Sequence, residues 1–122
     1  MFALTPATRI FVALAPVDLR RSFNGLAGWV QQELNQDPSS GNVFVFVNPR
    51  RNRLKVLYWD GSGLWVCAKR LEGGRFGWPG GEGAAITVRP EELMALLNGL
   101  EVQSRKGWFR KTNVRSLNSK NN

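Results

Sequence analysis

The stretch NVFVFVNPRRNRLKVLYWDGSGLWVCAKRLEGGRFGWP, from Asn42 to Pro79, contains three runs that are typical of β-strands. These runs are Val43 to Val47, Arg53 to Trp59, and Leu64 to Leu71. They are rich in β-branched and aromatic residues, and two short turns separate them. Because short turns join strands that run in opposite directions, the stretch predicts an antiparallel β-meander.

The length of each turn predicts which residues face each other across the meander. A symmetric hairpin around Gly61-Ser62 gives these pairs: Trp59 with Leu64, Leu57 with Val66, Lys55 with Ala68, and Arg53 with Arg70. If Asn48 to Asn52 forms a five-residue turn, Phe46 pairs with Leu54 and Phe44 with Val56. A one-residue bulge in either turn would reverse the faces.

This register divides the meander into an apolar face and a mixed face. The apolar face, which we expect to form the core, holds Phe44, Phe46, Leu54, Val56, Tyr58, Trp65, Cys67 and Leu71. The mixed face holds Val43, Val45, Val47, Arg53, Lys55, Leu57, Trp59, Leu64, Val66 and Arg70. Two amphipathic helices are then expected to pack together on the apolar face.

The flanking segments predict those helices and two more strands. A β-like run covers Arg9 to Leu14, and Ala85 to Val88 is short and β-branched. Apolar residues recur at helical spacing from Leu19 to Asn35, and Asp18 before them is a candidate N-cap. A second helix is predicted from Pro90 to Gly99. We therefore predict the α+β class.

At 122 residues, the chain is long enough for one domain with a buried core. We assign residues 1–102 to a single α+β domain and residues 103–122 to a basic, flexible tail. The segment from Arg105 to Asn122 contains six basic residues and no acidic residue.

Composition excludes several classes of protein. No apolar run approaches the ~20 residues that a membrane span needs. The first residues lack the pattern of a signal peptide, and the single cysteine, Cys67, fits a reducing cytoplasm. The absence of histidine excludes histidine-dependent triads and zinc fingers. The glycines from Gly73 to Gly83 do not form a P-loop, so we expect no cofactor.

The net charge of +8 favours a polyanionic partner, and many of the basic residues lie in the meander. The candidate nucleic-acid-binding residues are Arg50, Arg51, Arg53, Lys55, Trp59, Lys69, Arg70 and Arg75, with Arg20 and Arg21 as secondary candidates. Arginines that face each other across two strands repel, and a bound phosphate would relieve that repulsion. We expect Trp59 to stack beside them. The alternative is that these residues form an ordinary solvated edge, in which the aliphatic parts of the arginine and lysine side chains cover the valines.

The acidic residues do not predict a catalytic centre. Asp18 is explained as a helix cap, Asp60 as a turn residue, and Glu91 and Glu92 as residues at the positive end of a helix dipole. A metal-dependent strand-transfer site needs several converging carboxylates. We therefore expect a protein that is not an enzyme.

Several motifs together resemble the small TnpB accessory proteins of IS66-type bacterial insertion sequences, which are distinct from the RNA-guided nuclease of that name. The motifs are PVDLRRSFNGLA (Pro16–Ala27), DPSSG (Asp37–Gly41), VFVFVNPRRNRLKVLYWDG (Val43–Gly61), KRLEGGRF (Lys69–Phe76) and Trp78-Pro79. The resemblance covers roughly Ile10 to Leu100. The chain departs from the family pattern at two places: similar proteins often carry an acidic residue in place of Asn24, and a polar or charged turn that contains glycine in place of Asn48-Pro49.

The resemblance implies a mobile-element protein encoded beside a separate transposase, which carries the catalytic acidic triad itself. We expect an accessory factor in transposition that binds DNA, with the transposase as a second partner. The rival hypothesis is a protein-interaction subunit that recruits the transposase through Trp59, Trp78 and the mixed face, without contacting DNA. A nuclease is a third possibility. The sequence leaves the oligomeric state open.

Overall fold

A computed structural model describes residues 4–99 and confirms the α+β class. The elements in chain order are β1 (Ile10–Ala13), α1 (Phe23–Leu34), β2 (Val43–Val47), β3 (Arg53–Trp59), β4 (Leu64–Arg70), β5 (Ala85–Val88) and α2 (Pro90–Leu97). The predicted tail, residues 103–122, lies outside the described residues. Neither described helix has the length and apolar character that crossing a bilayer would require.

The five strands form one mixed sheet in the order β4-β3-β2-β1-β5. The predicted meander is confirmed, because β2, β3 and β4 pair in antiparallel fashion. β1 lies parallel to β2, with α1 as the crossover between them, and β5 pairs antiparallel with β1. Parallel neighbours need such a long connection, which explains why a helix separates β1 from β2 in the sequence.

The predicted register is confirmed in one hairpin and wrong in the other. β3 and β4 pair as expected, from Arg53 opposite Arg70 to Trp59 opposite Leu64. Between β2 and β3, Phe46 faces Lys55 instead of Leu54. The reason is that the Asn48 amide donates to the Arg53 carbonyl at 3.1 Å, so Asn48 extends the ladder and the turn is one residue shorter.

This one-residue shift exchanges the faces of β2 relative to β3. Val43, Val45 and Val47 lie on the same side as Leu54, Val56 and Tyr58, whereas Phe44 and Phe46 lie on the side of Leu57. All five β2 residues are buried, so the central strand requires a covering layer on each side. The predicted faces are therefore wrong for β2.

The helices lie on opposite faces of the sheet, and the prediction of two helices on one face is wrong. Leu26 and Val30 of α1 pack with the β2 phenylalanines, and Leu93 and Leu96 of α2 pack with the β2 valines. Each amphipathic helix thus buries its apolar stripe against one side of a sheet that is apolar on both.

Two side chains differ from their predicted environments. α1 begins at Phe23 after Ser22, so Asp18 is not its N-cap; the Asp18 carboxylate instead accepts from the Arg20 amide at 3.0 Å. Trp65 was predicted to lie in the core but is 48% exposed, because β4 is an edge strand. Its indole stacks on Tyr58 and donates to Asp60 at 2.7 Å.

Trp78 anchors the glycine-rich segment that follows the meander. Its side chain is 4% exposed, and Nε1 donates to the Ala13 carbonyl at 2.8 Å. Phe76 is buried beside it in the α2-side core. Trp78 therefore joins residues far apart in the sequence, and it is not the surface contact residue that the rival hypothesis required.

Replacing Trp78 by Phe should lower the free energy of unfolding by about 2 kcal/mol, because a buried hydrogen bond and part of a packed ring are lost. Denaturation in urea would measure this loss, if the slope of the free energy of unfolding against urea concentration is the same in both proteins. Trp65→Phe is the matched control, since that indole is half exposed and should cost less. An equal loss in both variants would contradict the anchoring role of Trp78.

Candidate nucleic-acid interface

Three loop segments meet at one end of the sheet through backbone hydrogen bonds. The Val17 amide donates to the Val47 carbonyl at 2.8 Å and ties residues 17–21 to the end of β2. The Leu71 and Phe76 amides donate to the carbonyls of Asn52 and Arg51, at 2.9 and 2.7 Å, and tie residues 70–76 to the β2–β3 turn. We call this region the basic end, because it carries Arg20, Arg21, Arg50, Arg51, Arg53, Arg70 and Arg75.

The β2–β3 turn is held from within by Asn48. Its Oδ1 accepts from the amides of Asn52 and Arg53 at 3.0 and 2.9 Å, and its Nδ2 donates to Asn52 Oδ1 at 2.8 Å. From its place in the sequence, Asn48 is predicted only to be a turn residue. The signal for this role was the Asn-Pro-x-x-Asn spacing, since Asn side chains readily bond to nearby backbone groups.

The same turn orients two arginine side chains toward solvent. Arg51 adopts a left-handed conformation, with φ of 58°, and its amide donates to the Asn48 carbonyl at 2.9 Å. Arg50 precedes it at the tip, and both residues are exposed. The backbone bonds satisfy the turn without using either guanidinium group, so both groups remain available to a ligand.

Arg50 lines two open depressions of the surface. The first has a volume of about 570 Å³ and is lined by Asp18, Leu19, Arg20, Asn48, Pro49, Arg50 and Arg53. The second has a volume of about 390 Å³ and is lined by Arg50, Asn52, Gly74 and Arg75. Arg50 therefore contributes to both concave surfaces, and each contains at least one further arginine.

Two of the arginines at the basic end have carboxylate partners. Arg20 binds Asp18 through Nε and Nη2, the latter at 2.6 Å from Oδ2, and Arg70 Nη2 lies 3.2 Å from Glu72 Oε2. The hydrogen bonds from the Arg20 side chain and amide lower the pKa of Asp18 to about 2. Both pairs are exposed to solvent, and such pairs contribute little to stability.

Within residues 4–99, five other arginines at the basic end have no such partner: Arg21, and four arginines in or near the β2–β3 turn and after β4. Within residues 4–99, the side chains of Arg50, Arg51, Arg53 and Arg75 form neither hydrogen bonds nor ion pairs. All four are exposed. Arg53 and Arg70 face each other across β3 and β4, which places a fifth guanidinium group beside this set. Opposed like charges cost stability, and an anion between them would offset that cost.

The first helix adds to the positive potential of the basic end. α1 starts there, directly after Arg20 and Arg21, and its first turn contains no acidic residue. Ser22 at the N-cap makes no side-chain capping bond. The positive end of the helix dipole therefore points toward the same region as the arginines.

Three predicted site residues lie elsewhere or are engaged by the fold. Lys55 Nζ donates to the Arg21 carbonyl at 2.9 Å, and Lys69 Nζ donates to the Leu97 carbonyl at 2.7 Å, at the end of α2. Trp59 lies six residues along β3 from Arg53, or about 20 Å at the usual strand rise. The expectation that Trp59 lies beside the arginines is therefore wrong.

Metal-binding side chains do not gather in the part of the chain from residue 4 to residue 99. No group of three or more His, Cys, Asp or Glu residues there has the geometry to hold a metal ion. The arrangement that residues 4–99 do contain is a set of cations on a backbone scaffold, and its chemistry is that of anion binding.

Comparison with known proteins gives a consistent match over most of the chain. Residues 8–107 match the family model described as IS66 Orf2 like protein. The uncharacterized protein y4jC of Sinorhizobium fredii is 45% identical over 93 residues, which cover 76% of this chain and 80% of that protein. The uncharacterized protein y4hO of the same organism is 40% identical over 106 residues, covering 87% and 92%. No solved structure matches the chain.

The pairing of Arg20 with Asp18 predicts the titration of that carboxyl group. The Asp18 carboxyl should titrate near pH 2, below its ordinary pKa of 3.8, and Arg20→Gln should raise the midpoint toward the ordinary value. Because the pKa is lowered in the folded state, any stabilisation is present above pH 4 and is lost as the pH falls toward 2.

Carbon-detected NMR of the side-chain carboxyl would follow this titration directly. Arg70→Gln is the matched control, since Arg70 pairs with Glu72 and should leave the Asp18 midpoint unchanged. A wild-type midpoint near 3.8 would contradict the pairing.

Proposed function

Because the chain belongs to the IS66 Orf2-like family of insertion-sequence-associated proteins, we propose that it is a non-catalytic accessory protein of transposition that binds DNA through its basic end. The observation that carries this proposal is the gathering of Arg50, Arg51, Arg53 and Arg75 on one surface, with no partner for their side chains within residues 4–99. Concentrated positive charge of this kind is the usual electrostatic footprint of a nucleic-acid-binding surface.

The energetics of DNA binding suit such a surface. Guanidinium groups that repel one another in the free protein would be neutralised by phosphates, and the release of counterions from DNA would favour association. The planar guanidinium fork also matches the geometry of phosphate oxygens. Contacts of this kind set the position of a protein on DNA without reading bases, so we propose weak intrinsic sequence specificity.

The two depressions suggest how the DNA backbone would lie. Arg50 lines both, with Arg53 also lining the first and Arg75 also lining the second. We propose that phosphates of one strand occupy both depressions and share Arg50. Arg20 and Arg70 would then exchange an exposed carboxylate partner for a phosphate. Lys55 and Lys69 would remain structural, since backbone carbonyls engage their ammonium groups.

A double substitution, Arg50→Gln with Arg53→Gln, tests this interface. Each lost phosphate contact should reduce the slope of log K against log salt by about 0.9, so the variant should lose about 1.8 from the slope. Fluorescence anisotropy of a labelled duplex, titrated with protein across a range of salt concentrations, would measure the slope. One duplex would carry the terminal repeat of the element and the other a scrambled sequence.

The matched control is Arg9→Gln with Arg89→Gln, which lowers the net charge equally at the opposite end of the sheet. Arg9 precedes β1 and Arg89 follows β5, and these two ends meet where Ile10 faces Val88. The control should bind with a slope close to that of the wild type. An equal decrease in the slope of log K against log salt in both double variants would mean that net charge, and not the basic end, determines binding.

The rival proposal is recruitment of the separate transposase without DNA contact. Part of the surface that this rival needs is covered, because Trp78 is buried and α1 packs on the face that holds Leu57 and Val66, whereas Trp59 stays partly exposed. Absence of DNA binding even at low salt, together with co-purification with transposase at high salt, would favour the rival. Cleavage of DNA in the presence of magnesium or manganese would instead favour a nuclease.

A further inference from the structure

β4 presents a long, regular edge that no other strand of residues 4–99 covers. Its seven residues pair with β3 on one side without a bulge, and no strand of the described chain lies on its other side. The strand contains neither proline nor glycine. Natural proteins usually protect such edges with bulges, prolines or charged side chains, because an open edge accepts another strand. In β4 the charged side chains are Lys69 and Arg70, both at one end of the strand.

The hydrogen-bond pattern identifies the backbone groups that point outward. The Asp60 amide bonds to the Gly63 carbonyl, and the Leu71 amide bonds to the Asn52 carbonyl. Since bonded and non-bonded pairs alternate in an antiparallel ladder, alternate residues of β4 direct their N–H and C=O groups away from β3. These residues are Leu64, Val66, Ala68 and Arg70.

The edge also carries complementary charge at its two ends. Asp60 lies just before β4, and its pKa is held far below the ordinary value by hydrogen bonds from the Ser62 amide, the Trp65 indole and the Gly63 amide. Lys69 and Arg70 lie at the other end of the strand, and both are exposed. An antiparallel copy of the same edge would bring each acidic end close to a basic end.

We propose that β4 pairs in antiparallel fashion with β4 of a second copy of this chain, about a two-fold axis through Cys67. In this register Leu64 faces Arg70 of the second copy, and Val66 faces Ala68. All four outward-pointing residues are then bonded, whereas a shift by two residues in either direction leaves some of them unpaired. A shift by one residue would place the outward N–H and C=O groups of one β4 opposite residues of the other β4 whose N–H and C=O groups are already bonded to β3.

The side chains fit the same register. Trp65, which is 48% exposed, would face Lys69 of the second copy on the α2 side of the joined sheet. Because the Lys69 ammonium is held by the Leu97 carbonyl, the aliphatic stem of this lysine would pack against the indole ring. The Asp60 carboxylate already accepts from that indole at 2.7 Å, so it lies near the incoming lysine. This homodimer does not depend on DNA binding, and it places two basic ends at opposite ends of one continuous sheet.

Ala68→Pro tests the interface while preserving the ladder within one copy. The Ala68 amide points outward, so proline removes a donor from the proposed interface but none from the β3–β4 pairing. Ala68→Val is the matched control, which keeps the amide and favours a strand. Sedimentation velocity of the full-length protein, nuclease-treated and at high salt, should show dimers for the wild type and Ala68→Val, and monomers for Ala68→Pro. Circular dichroism would establish that the proline variant is folded.

Cys67 provides an independent readout. On the two-fold axis it would form a non-hydrogen-bonded pair with its own copy, for which the Cα atoms lie about 4.5 Å apart, within the range of a disulfide. Oxidation by copper–phenanthroline removes two electrons and two protons from the pair of thiols. It should give a disulfide-linked dimer from the wild type, and far less from Ala68→Pro.

Three outcomes would overturn the proposal. A wild-type protein that stays monomeric at every concentration would exclude the dimer. A dimer that persists in folded Ala68→Pro, with no Cys67 cross-link, would place the interface elsewhere. A monomer in which the Val66 and Ala68 amides exchange slowly with solvent would assign the edge to residues of this chain outside 4–99.

Discussion

The hydrogen bond from the Asn48 amide to the Arg53 carbonyl fixes the alignment of β2 with β3, and most of the molecule follows from that alignment. Because side chains alternate along a strand, moving the ladder by one residue would place the phenylalanines of β2 on the other side relative to Leu57. The Asn48 side chain strengthens this choice by binding the amides of Asn52 and Arg53. One residue thus sets the partition of the core and also shapes the turn that displays Arg50 and Arg51.

The parts of this fold that depend on residues close together in the sequence could be predicted. The parts that depend on contacts between distant residues could not. β2, β3 and β5 begin and end where the sequence pattern predicts, because β-branched runs and turn residues act locally. The β3–β4 register was also predictable, since Asp60 and Gly63 close a symmetric hairpin. The β2–β3 register was not, because counting residues could not show that Asn48 belongs to the ladder. The side of the sheet chosen by each helix depends on that register, so this prediction was wrong too.

The candidate site shows the same division. Arginines in turns could be grouped from the sequence, because turn residues at one end of a meander lie together. The sequence could not show that the ammonium groups of Lys55 and Lys69 donate to the backbone carbonyls of Arg21 and Leu97. Those contacts join segments that are far apart in the chain, and they depend on where each helix packs. Side-chain length also mattered, since a long lysine stem can extend from the strand surface to a neighbouring segment.

The assembly of the basic end from three separate segments has a consequence for damaged copies of the gene. Residues 17–21, 48–53 and 70–76 are held together by hydrogen bonds from the amides of Val17, Leu71 and Phe76. A frameshift within β4 would leave most of these arginine codons intact, yet it would remove Leu71 and Phe76, which tie the last segment to the turn. The encoded chain would keep five of the seven arginines of the basic end and lose the local density of their charge. Genetic decay of an insertion sequence would therefore abolish this surface abruptly, long before the base composition of the gene changed.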